Sequence, residues 1–127
     1  MEKSTELEKE TEKRLEMDKA ALGRIPVVHQ VLSERPDLFI PNFDTSASIF
    51  MGKGVLDLKT KRLISVAASA MGGSPYCLRA QMEDAKLAGA TEDEILEALQ
   101  ISAYMGMTRV QSVSFRVFAE MFGKEIN

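Results

Sequence analysis

A glycine pair, Gly72-Gly73, separates two stretches that each read as a helix, and so short a break makes the chain double back on itself. The segment 56–99, LDLKTKRLISVAASAMGGSPYCLRAQMEDAKLAGATEDEILEAL, reads as three helices with two short breaks. Asp57 can cap the first. From Leu63 to Met71 only Ser65 and Ser69 interrupt an apolar run, which predicts burial on most sides. The glycines close this helix because glycine enters the left-handed conformation of a helix C-terminus without strain. Ser74-Pro75 restarts the chain, with Ser74 as cap and Pro75 at the first helical position. Gly89 ends the second helix, and Thr91-Glu92-Asp93-Glu94 is a capping box for the third.

The hairpin geometry predicts a site. Arg62 lies ten residues before Gly72 and Gln81 eight after Gly73, so at about 1.5 Å per residue they stand at similar heights. Cys77 and Gln81, four apart, share a helix face. Cys77 also falls in the first turn, where free N–H groups and the positive dipole end favour a thiolate. Arg62, Ser74, Cys77 and Gln81 are therefore expected to line one small pocket. Arg79, two positions from Cys77, points elsewhere.

Around this centre the chain reads as helix throughout. Residues 2–22 form a strongly charged helix supported by Glu10 with Arg14 and Glu16 with Lys19. Its apolar stripe is only Leu7, Leu15 and Leu22, with Thr11 and Asp18 between, which predicts a solvated arm over 1–24 ahead of a domain over 25–127. Val27, Val28, Val31 and Leu32 mark a short amphipathic helix that carries His29, expected to be a surface or packing residue. The two prolines of PDLFIPNF predict a turn and a short helical piece, followed by a helix capped by Asp44 or Thr45. Helix three places Ile95, Leu96, Leu99 and Ala103 on one face, and 101–107 is apolar all round, which predicts enclosure. Gly106 is expected to weaken or end it, with Thr108 capping a last helix whose Val110, Val113, Val117 and Met121 stripe is widened by Phe115, Phe118 and Phe122. That surplus apolar face predicts subunit contact. No strand alternation or repeat occurs, so the expected class is all-α, with about six helices.

A net charge of −3 gives no electrostatic reason for a nucleic-acid or anionic-membrane partner. No apolar run approaches the roughly 20 residues that span a bilayer. The charged start, MEKSTELEKE, does not read as a secretory signal, so the expected location is cytoplasmic. The single cysteine excludes an intramolecular disulfide. One His and one Cys far apart do not make a metal site, and no cofactor is expected.

Four strings carry a resemblance: L-D-x-K-T-K-x-L-I at 56–64, G-S-P-Y-C at 73–77, A-K-L-A-G-A-T at 85–91 and E-D-E-I-L-E-A-L at 92–99. With them the chain resembles the carboxymuconolactone decarboxylase family and its alkyl hydroperoxidase D-like relatives, over roughly 36–122. The resemblance implies an all-α fold with the hairpin at its centre and assembly into homo-oligomers, trimers or hexamers. The peroxidase branch has C-x-x-C-x-x-x-H here and a glutamate on the preceding helix. This chain has S-P-Y-C-L-R-A-Q, so Ser74 and Cys77 stand at the cysteine positions, Gln81 at the histidine and Arg62 at the glutamate.

Three functions follow as expectations. The first is a single-cysteine, peroxiredoxin-type thiol oxidoreductase at Cys77, acting on a peroxide and drawing on an external thiol. The second is a decarboxylase-like enzyme on a small carboxylated lactone, with Arg62 clamping the acid. The third is a non-catalytic oligomeric binding protein. Gln81 can orient a ligand but cannot shuttle protons, and Ser74 lacks a base that would make it a nucleophile.

Overall fold

The computed structural model describes residues 2–126, and among them the regular structure is six α-helices with no strand. The chain divides into two compact units after Leu56.

The first unit holds α1 (Glu2–Leu22), α2 (Val27–Leu32) and α3 (Pro36–Phe50), with α1 and α2 both packed on α3. Its core is small and aromatic. Phe39 and Phe43, one turn apart on α3, are completely buried. The His29 imidazole meets Phe39 edge-on at 5.5 Å and leans on Phe43 at 5.3 Å. Asp18 closes the cluster, its Oδ2 2.6 Å from His29 Nδ1. Arg14 packs its guanidinium over the Phe43 ring and pairs with Asp44 at 2.9 Å and Glu10 at 2.6 Å.

Two expectations change here. The charged helix is not solvated all round, because Thr11 and Asp18 are buried. Thr11 returns its hydroxyl to the Leu7 carbonyl at 2.7 Å, and Asp18 has the imidazole, so neither polar group is buried without a partner. The prolines do not bound a turn. Pro36 opens α3 and Pro41 lies inside it, at the cost of one backbone donor that burial of Phe39 and Phe43 offsets. Asp44 then serves as an ion-pair partner rather than a cap.

The second unit holds α4 (Leu58–Gly72), α5 (Pro75–Leu87) and α6 (Glu92–Met121), with α5 and α6 both packed on α4. The caps are those expected. Asp57 accepts the Thr60 N–H at 2.8 Å, Gly73 takes φ 72°, and Ser74 accepts the Cys77 N–H. Thr91 and Glu94 close a reciprocal capping box at 3.1 and 3.0 Å. Lys59 bonds the same Glu94 carboxylate at 2.8 Å. That bond and the two from Thr91 and its backbone push Glu94 down to about 2. The α4–α5 pair is antiparallel, whereas α6 runs parallel to α4. Lys59 meets Glu94, the Ala67 carbonyl accepts from the Ser102 hydroxyl at 2.8 Å, and Met71 lies against Gly106, a constant offset of 35 residues.

Gly106 and Thr108 neither end a helix nor start one, since α6 runs unbroken for 30 residues. One mid-helix glycine costs about 1 kcal/mol, too little to break a helix this long. Among the described residues the main neighbours of α4 are α5 and α6. Val66 is fully buried, but Ile64 and Met71 stay about half exposed, so burial on most sides is not found. The expected enclosure of 101–107 is absent for the same reason: Ile101, Tyr104, Met105 and Met107 are each about half exposed.

Candidate functional site

The hairpin of α4 and α5 presents Arg62 on one rod and Ser74, Cys77, Gln81 and Asp84 on the other. Val66 and Ala85, both fully buried, form the hairpin's own core. Beside Ala85 the Asp84 carboxylate is turned inward and 4% exposed. Arg62 Nη1 stands 3.7 Å from Asp84 Oδ2. Asp84 is the site residue that sequence reasoning missed. The available signal was its spacing, one turn beyond Gln81 and two beyond Cys77 on the same face.

That pair sets the register. With Arg62 opposite Asp84, Gln81 falls near the level of Ser65, less than a turn from Arg62. Cys77 falls near Ser69, about 10 Å along the hairpin at 1.5 Å per residue. The expected pocket residues therefore divide into two groups. Arg62, Gln81 and Asp84 gather in the buried middle, and Cys77 and Ser74 stand at the open end by the glycine turn.

Each group has its own chemistry. Gln81 Oε1 is buried and has no hydrogen-bond partner, an acceptor held away from water. Arg62 is occupied by a carboxylate of its own chain, which neutralises much of the charge a clamp would offer. At the open end the Cys77 thiol is exposed, and its backbone N–H is tied to Ser74 Oγ at 3.4 Å. Tyr76 beside it is almost wholly in solvent. Reagents can reach the sulfur without any rearrangement of the hairpin.

The carboxymuconolactone decarboxylase family profile matches residues 36–120, from the start of α3 nearly to the end of α6. The chain belongs to that family. A curated relative in Paracoccus denitrificans, described as uncharacterized protein 4 in cox locus, is 34% identical over 59 residues, 46% of this chain and 53% of the relative. The chain thus spans about half the length of that relative. No solved structure matches the chain. Family and all-α fold agree with the reading of the hairpin motifs. No helix among the described residues is long and apolar enough to cross a membrane.

Proposed function

We propose that this carboxymuconolactone decarboxylase family protein is a single-cysteine thiol peroxidase that works as a cytoplasmic homo-oligomer. The observation that carries the reading is Cys77, exposed in the first turn of α5. In the first step the Cys77 sulfur attacks a hydroperoxide. The O–O bond breaks, an S–O bond forms, and the products are Cys77 sulfenic acid and the alcohol, or water from hydrogen peroxide. An external thiol then condenses with the sulfenic acid, releasing water and leaving a mixed disulfide. A second external thiol attacks the sulfur of the first, so that the bond to Cys77 breaks, the Cys77 thiol is regenerated and the two external thiols leave as a disulfide. The external reductant is required because the chain has one cysteine.

Gln81 supports this reading as a hydrogen-bonding group, because it follows Cys77 by one helical turn and its buried oxygen has no partner. The decarboxylase alternative draws less support. A carboxylated lactone would have to compete with the buried Asp84 carboxylate for Arg62. Assembly is supported by the half-exposed apolar residues of α4 and α6.

The test is peroxide consumption with an added monothiol. Cys77→Ala is expected to lose all consumption above the thiol-only rate, whereas Arg62→Ala keeps a measurable rate. Equal rates for the parent and Cys77→Ala would leave the non-catalytic oligomer as the function of the fold.

A further inference from the structure

The α6 helix outruns the helix it packs on. Its parallel register with α4 ends at Gly72, opposite Met107, while α6 continues to Met121. Residues 108–121 therefore extend about 21 Å beyond the end of α4. This overhang is apolar and, apart from the buried Ala119, open: Val110 and Val113 are each 64% exposed, Phe115 60% and Met121 75%. Between Glu97 and Glu120 the only charges on α6 are Arg109 and Arg116. So large an exposed apolar stripe is costly in water and calls for a surface to cover it.

The other half of the same helix offers such a surface. Leu63, Ile64 and Ala67 of α4 and Ala98 and Ile101 of α6 line an apolar groove of about 300 Å³ with Glu97 at its rim. Glu97 has no ion pair among the described residues, and neither does Arg109. One end of the unit thus has an apolar groove with an uncompensated carboxylate. The other has an apolar rod whose charges, up to its last turn, are two guanidinium groups.

We propose that the groove takes the α6 overhang of a second copy of this chain, and gives its own overhang to that copy's groove in return. The two α6 helices then lie antiparallel about a two-fold axis level with Gly106 and Met107. The groove, centred on Ala98, and the overhang, centred on Phe115, are equally far from that level, so both contacts form at once. Each overhang gains the partner's α4 as the neighbour it lacks, and the basic arm of each copy meets the acidic rim of the other. The inference rests on the homo-oligomer part of the proposed function and specifies its interface. A two-fold pair occurs in a dimer or a hexamer of this chain but not in a closed trimer.

Cysteine cross-linking in a Cys77→Ser background tests the pairing. Ile101→Cys and Ser112→Cys lie at equal distances either side of the axis, so each faces the other across the pair. Two copies of the same variant hold their new cysteines about 16 Å apart, too far for a disulfide. Mixing the two variants under mild oxidation is expected to give the mixed dimer about tenfold faster than either self-linked dimer. Light scattering of the parent is expected to give a dimer or a hexamer. A trimer, or an oligomer in which the mixed cross-link is not preferred, would overturn the pairing and leave assembly standing. A monomer at micromolar concentration would overturn both.

Discussion

Arg62 and Asp84 face each other across the α4–α5 hairpin at 3.7 Å, both largely out of solvent. Neither charge is shielded well enough by water to be left alone, so the pair acts as a register pin for the two helices. Removing one partner takes the opposite charge away from a largely buried group. Asp84→Ala is expected to lower the unfolding free energy by about 3 kcal/mol. The Arg62→Met, Asp84→Leu double variant should recover most of that loss. Denaturant melts of the parent, single and double variants measure both.

The glycine turn is the second constraint. Gly73 holds φ 72° with open space where a Cβ would sit, so the cost of a side chain there is purely conformational. Gly73→Ala is expected to destabilise by about 1 kcal/mol. Gly72 is helical, has no positive φ and also faces open space, so Gly72→Ala should be neutral or slightly stabilising. Thermal melts of the two variants separate the effects.

Acid should weaken the α4–α6 junction through Glu94. Its folded-state value of about 2 lies below its ordinary 4.5 because Lys59 and the Thr91 backbone bind the ionised form. A depressed carboxylate contributes stability that is fully present above its unfolded value and is lost as pH falls through its folded value. The loss therefore runs from about pH 4.5 down to about 2. Glu94→Gln should flatten the pH dependence of stability in that window, and urea melts across it would show the change.

In the first unit, His29 joins α2 to Asp18 of α1 and to the two buried phenylalanines of α3. His29→Ala opens a cavity and leaves a buried carboxylate unpaired, with an expected cost of about 3 kcal/mol. Hydrogen exchange should show faster opening of α1 around Asp18. Arg14→Ala, which removes partly exposed ion pairs, should cost about 1 kcal/mol or less.

Capping chemistry made the second unit legible from sequence. Asp57, Gly73, Ser74-Pro75 and the Thr91–Glu94 box are local signals, and local backbone demands decide where α4, α5 and α6 start. Long-range pairings were not legible. Asp18 looked like a break in an apolar stripe because its partner, His29, lies eleven residues away on another helix. Pro41 looked like a terminator because the aromatic burial that outweighs its missing donor is a tertiary fact. At the site, helix rise and the length of the turn are enough to put Arg62 and Gln81 at similar heights. Asp84 went unnoticed, since a carboxylate on a charged helix gives no sign of turning inward until its partner is in place. Burial of α4 and of 101–107 was overestimated because apolar composition does not say whether the covering surface is in the same chain.

Trapping of the oxidised thiol tests the proposed chemistry most directly. Mass spectrometry would follow the reduced protein after one equivalent of hydroperoxide in the presence of a sulfenic-acid trap. The expected result is a single adduct on Cys77 that forms in near-stoichiometric yield and disappears when external thiol is added before the trap. An unmodified Cys77 that reacts with peroxide no faster than a free small-molecule thiol would contradict a peroxidatic role.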